Sequence, residues 1–226
     1  MSIVGKKLLT IHCVGGIIST STNERGQLIL EIVQNSVEIL DTAPSYEDVL
    51  MTFNKVARNC YQSETADNAN VESAEKLARG LIKNSHEAML EFSNIPVHFV
   101  ADRSFMGQLT RHRMCSFAVE SARFNNYTKD KFNGIKVIPP VDMTNEGYAF
   151  WRAHCLLAEG AYVELIENGC KPETARSVLP MCLATSIMCS ANIREWRHIF
   201  KLRCDVHSQI DIRTVMLELL GKMYEK

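Results

Sequence analysis

The chain of 226 residues contains no apolar run of about 18 residues, so no segment is a candidate membrane span. Charge of one sign is also missing: 25 lysines and arginines stand against 26 acids, a formal net charge of −1. That balance excludes a general nucleic-acid binder, whose surface needs a basic excess. None of the eight cysteines falls in a C-x-x-C pair, so the spacing of a zinc or dithiol redox site is absent and no metal is expected. The cysteines read instead as reduced, mostly buried small hydrophobes of a cytoplasmic protein. G-x-G-x-x-G, the P-loop, G-x-S-x-G and H-E-x-x-H are all absent. Any nucleotide must therefore be held by side chains rather than by a glycine loop. No repeat, low-complexity tract or Pro/Gly linker divides the chain, and a single domain over residues 1–226 is expected. The start, Met1 to Ile18, loosely mimics a signal peptide, but His12 interrupts its apolar stretch and no clear cleavage site follows. It reads as a strand-forming segment.

What remains is ordinary globular material, 46% hydrophobic and 23% charged. Leu28 to Val33 predicts a strand. Ser45 to Cys60 predicts a helix capped by Ser45, with Val49, Phe53 and Val56 at helical spacing, and a second helix is expected over Val71 to Lys83. Asn94 to Val100 alternates as a strand, and Pro96 places it at an edge or a bulge. Asp102 caps a helix expected to carry Phe105, Gln108, Leu109 and His112. The longest helix runs from Asn145 to Asn168, closed by Gly169 and kept closed by Pro172. Asn192 to Glu195 opens another in capping-box fashion, and a last helix follows from about Ser208. Helices outnumber strands and do not alternate with them regularly. The expected class is α+β, helices packed on an antiparallel sheet.

The densest chemistry lies between Gln108 and Arg123, where Arg111, His112 and Arg113 are consecutive. Three cationic or titratable groups in a row are costly to bury unless an anion neutralises them, and the guanidinium fork suits phosphate. Gln108 and Arg111, three apart, would share a helix face; Ser121 and Arg123, two apart, would point the same way from an extended segment. The competing reading is a solvated, charged helix end. A second set comprises Arg176, Arg194, Arg197 and Arg203 with Asn192, His198 and His207. Arg194 and His198, four apart, share one face of their helix. Without a ligand these arginines would be surface partners of Glu173, Glu195 and Asp205.

Arg111-His112-Arg113, seven residues and then Ser121 resembles the R-H-R-x7-S signature of the flavin-dependent thymidylate synthases, the ThyX family. His86-x4-Glu91, Ala57-Arg58-Asn59-Cys60-Tyr61, Asn125 to Phe132, Arg176-x-x-Leu-Pro180, Asn192-x-Arg194-Glu-Trp-Arg-His198 and Lys201-Leu-Arg203 resemble further family segments, in the family's order. The likeness covers roughly Val37 to the C-terminus, while residues 1–35 match less well.

The resemblance implies an enzyme that converts dUMP to dTMP, taking carbon from methylenetetrahydrofolate and reducing power from NADPH through FAD. It also implies a homotetramer with active sites shared between subunits. By the same likeness Arg111, His112, Arg113 and Met114 contact FAD, as do Cys60, Glu91, Asn192, Arg194, His198, Leu202 and His207. Gln108, Arg111, Glu120, Ser121, Ala122, Arg123, Arg176 and Arg203 match positions that hold dUMP. Arg203 matches the arginine that favours ionisation of the uracil ring, and His86 a histidine on the folate side. The family needs no cysteine nucleophile, so Cys115 reads as packing. Ala88, Phe92, Ala118 and Val119 depart from the residues common in the family, and their side chains are given no contact. The alternatives to an active enzyme are a non-catalytic nucleotide- or flavin-binding homologue and, more remotely, an RNA-binding module.

Overall fold

The computed structural model describes residues 9–13, 16–20, 30–62, 70–129, 131–132 and 134–225. In chain order the elements are β1 (Leu9–Cys13), β2 (Gly16–Thr20), β3 (Glu31–Ile32), β4 (Ser36–Ile39), α1 (Tyr46–Tyr61) and α2 (Val71–Lys83). A 3-10 turn (Ala88–Glu91) leads into β5 (Asn94–Asp102), α3 (Arg103–Leu109), β6 (Cys115–Val119) and β7 (Lys136–Val137). Then come α4 (Asn145–Glu167), α5 (Pro172–Ala175), β8 (Ala184–Asn192), α6 (Ile193–Arg203) and α7 (Ile210–Glu225). The α+β expectation holds, with helices and an antiparallel sheet. Strands are nevertheless as numerous as helices: eight against seven α-helices among the described residues. The chain divides into two compact units, and the division falls within β5, α3, β6 and β8.

The first unit comprises residues 1–35, 100–107 and 119–186. β1 and β2 form an antiparallel hairpin, in keeping with a strand-forming start. Of the predicted strand from Leu28 to Val33, Leu28 and Ile29 lie outside the described residues; the rest supplies β3, which pairs parallel with β7. Thr144 caps α4 by accepting from Gly147 N at 3.1 Å. The far end closes as a Schellman motif: Gly169, at φ 86°, donates to Ile166 O, and Cys170 donates to Leu165 O. Tyr127, Ile135, Val137, Cys155 and Tyr162 pack as this unit's core.

The second unit comprises residues 36–99, 108–118 and 187–226. Its helix starts follow the sequence closely. Ser45 and Asp48 form a reciprocal capping box on α1, and Asn192 accepts from Glu195 N at 2.8 Å to open α6. The sheet order is β4-β5-β8-β6, so β5 is an interior strand and the edge placement expected from Pro96 is wrong. In an antiparallel pair a residue's N–H and C=O face the same neighbour. Pro96 O accepts from Leu40 N, so the missing donor falls just beyond the end of β4, where little pairing is lost. The expected helix through His112 also stops early, at Leu109, after Asp102 caps it through Phe105 N at 2.7 Å. Trp196 anchors α6: its indole donates to Ile95 O at 3.0 Å, and its ring lies against Phe99 and Phe200.

Candidate active site

The three consecutive cations do not share one environment. Arg111 and Arg113 are exposed in the turn after α3, whereas His112 is buried, 5% exposed. Because α3 has ended, Gln108 and Arg111 do not lie on a common helix face. Arg111 instead donates its N–H to Gln108 O at 3.4 Å. His112 Nε2 accepts from Arg203 Nε at 3.0 Å, and Arg203 Nη2 donates to Gln108 O at 3.0 Å. An imidazole that accepts at Nε2 carries its proton on Nδ1, the nitrogen that faces Glu195 Oε1 at 3.7 Å. Burial first, then the neighbouring Arg203 and His198, pull the His112 pKa down to about 4. The ring is therefore neutral at physiological pH and serves Arg203 as an acceptor. Ninety-one residues of sequence separate these two partners.

α6 carries the adjoining cavity, about 670 Å³, which lies within the second unit. Arg194 and His198 both line it, as their spacing on one helix face predicts, together with Asn192, Met114 and Glu91. Arg194 Nη1 bonds Glu91 Oε1, and Arg197 Nη1 donates to Glu87 Oε1 at 2.6 Å. Arg194 and Arg197 thus pair with the segment before β5 rather than with Glu173, Glu195 or Asp205. Glu87, Arg197 and Lys201 also line the cavity without having been assigned a ligand role from sequence. Glu87 gave a signal only by adjoining His86. His207, whose side chain is 92% exposed, bonds Asp205, while Leu202 and Cys60 are also exposed. None of these three lines the cavity, and nor does the exposed His86. Cys115 shares a thiol hydrogen bond with Cys189, consistent with packing between strands.

The remaining candidates belong to the first unit. Ser121 to Arg123 forms a turn rather than an extended segment, with Phe124 N and Asn125 N both donating to Ser121 O. Ala122 is buried, and the exposed Arg123 lies over the Phe124 ring at 4.4 Å. Glu120 fixes the base of this turn. Its Oε1 accepts from Tyr127 Oη at 3.0 Å and Asn125 Nδ2 at 3.2 Å, and its Oε2 accepts from Ser186 N at 3.4 Å. Arg176 is exposed at the end of α5.

The family described as thymidylate synthase complementing protein matches residues 41–226. A flavin-dependent thymidylate synthase of Geobacter sulfurreducens is 30% identical over 174 residues, covering 73% of this chain and 72% of that protein. Its counterpart from Pyrococcus furiosus is 27% identical, over 74% of this chain and 69% of the relative. Among solved structures, a UMP/dUMP methylase, PolB, from Streptomyces cacaoi bound with 5-Br dUMP superposes with a TM-score of 0.73. At 22% identity, over 86% of this chain and 92% of that one, this is a likeness of fold. With its family match over residues 41–226 and its 30% identity to the Geobacter protein, the chain belongs to the flavin-dependent thymidylate synthase family of enzymes.

Proposed function

We propose that the chain converts dUMP to dTMP, with methylenetetrahydrofolate as carbon donor and NADPH as reductant through FAD. One observation carries the reading: α6 lines the cavity with one part of its surface and ends in Arg203, clamped by a neutral histidine. The cavity's size is ordinary for a cofactor pocket, and Arg194, Arg197 and Lys201 are the cations a pyrophosphate needs. Asn192, Arg194, His198, Met114 and Glu91 would hold FAD there, helped by Arg111, His112 and Arg113, with Cys60, Leu202 and His207 at its periphery. When bound, FAD supplies hydride transfer while the protein orients the reactants.

Arg203 has its Nε and Nη2 engaged by His112 and Gln108, which fixes the plane of the guanidinium before substrate arrives. Its role is to stabilise negative charge on the uracil ring, a preorganised electrostatic contribution. Gln108, Arg111, Ser121, Ala122, Arg123 and Arg176 hold dUMP, with Glu120 among them, and His86 serves the folate side. The whole chain works as one catalytic domain in a cytoplasmic homotetramer whose subunits share active sites. Purified protein should carry flavin and form dTMP from dUMP, methylenetetrahydrofolate and NADPH. Binding of FAD and dUMP without dTMP would reduce it to a non-catalytic homologue; no flavin and no dTMP would refute the proposal.

A further inference from the structure

Glu87 lines the same cavity, carries no role in the reading above, and is bonded to Arg197. Arg197 Nη1 donates to Glu87 Oε1 at 2.6 Å, and Glu87 Oε2 stands 3.8 Å from Arg194 Nε. The Glu87 side chain is the most sheltered of the three, 27% exposed against 53% for Arg194 and 46% for Arg197. Arg194, Arg197 and Lys201 thus face Glu87, Glu91 and Glu195, three cations against three acids. A cavity so balanced offers a pyrophosphate no net attraction until an acid withdraws.

The backbone delivers Glu87 to this position. α2 ends in a Schellman motif in which Ser85 donates to Ile82 O and His86 donates to Leu81 O, with Ser85 in the left-handed region at φ 61°. The chain then turns directly into Glu87, ahead of the 3-10 turn that carries Glu91. Glu87 makes no capping bond to that turn, so its carboxylate can leave the arginines by side-chain rotation alone.

We propose that Glu87 is an internal counter-ion: it holds Arg194 and Arg197 toward the cavity and is displaced from them by the diphosphate of FAD. Glu87 thereby sets the affinity of the cavity for the dinucleotide, and Arg197 becomes a phosphate contact. The inference rests on the reading of this cavity as the flavin site. It is tested by titrating flavin-depleted wild-type, Glu87→Gln and Arg197→Ala proteins with FAD and with riboflavin, which lacks phosphate, following flavin fluorescence. Glu87→Gln should bind FAD about threefold to tenfold more tightly, and Arg197→Ala should bind it more weakly by a similar factor. Riboflavin affinity should stay unchanged in both variants. Unchanged or weaker FAD binding by Glu87→Gln, or an equal shift for riboflavin, overturns the proposal. Wild-type protein that takes up no FAD overturns the flavin reading itself, and the counter-ion role with it.

Discussion

His112 in the second unit and Glu159 in the first are buried to nearly the same degree, 5% and 3% exposed, and desolvation leads the pKa shift of each. Its direction differs because burial favours the neutral form of either group. The Glu159 pKa rises to about 7, offset by backbone N–H donors from Ile135 and Leu30, and the His112 pKa falls to about 4. Glu159 accepts from Ile135 N at 3.1 Å beside the parallel β3–β7 ladder, whereas His112 accepts from Arg203 at the candidate active site. The same physics therefore serves architecture in one unit and, on the function proposed above, chemistry in the other. What separates the two is that a second polar side chain, Arg203, depends on the neutral form of His112.

The comparison can be broken most forcefully at Arg203. Arg203→Ala should lower dTMP turnover by about 100-fold or more, the usual consequence of removing a preorganised charge-stabilising donor, with FAD still bound. Near-normal turnover in a steady-state assay would remove Arg203 from the chemistry. pH separates the two buried groups. For His112 the folded pKa lies below the ordinary 6.5, so its contribution to stability is complete above 6.5 and is lost as pH falls toward 4. The loss should reach about 3 kcal/mol in denaturant titrations and should shrink in His112→Gln, which keeps an acceptor without titrating in this range. A low-pH limb unchanged in that variant would contradict the assignment.

Glu159 has the opposite sign. Its contribution is complete below the ordinary carboxyl value of 4.5 and is lost as pH rises through about 7. Glu159→Gln should therefore raise stability at pH 8 by about 1 to 3 kcal/mol and leave it nearly unchanged at pH 4. A variant no more stable at pH 8 would show that the two backbone donors already offset burial. The smallest effect is expected at Ser85, where a serine occupies the left-handed position that Gly169 fills at the end of α4. Ser85→Gly should raise the unfolding free energy by about 0.5 to 1 kcal/mol, and a loss of stability would refute strain at that turn.

Local signals carried the helices well. Ser45, Asn192 and Gly169 each terminate a helix through hydrogen bonds within a few residues of themselves, so sequence alone exposes them. Signals that depend on pairing across the fold were less legible. Pro96 marks a position where β4 gives out, which no local pattern could report. Helical spacing extended α3 through His112, but the chain turns at Leu109 and sends that ring toward Arg203. The arginines of α6 were visible as a cluster, whereas their partners Glu87 and Glu91 lie more than 100 residues earlier. Ser85 lacked the glycine that makes such a turn readable, and with it went the signal that the chain turns there into Glu87.

The central claim, that the cavity along α6 holds the flavin, is tested most directly by the FAD content of purified wild-type and Arg194→Ala proteins, read from their visible absorbance. Wild-type protein should be yellow, and Arg194→Ala should lose most of its flavin while remaining folded by circular dichroism. Equal flavin in the two proteins would contradict that placement.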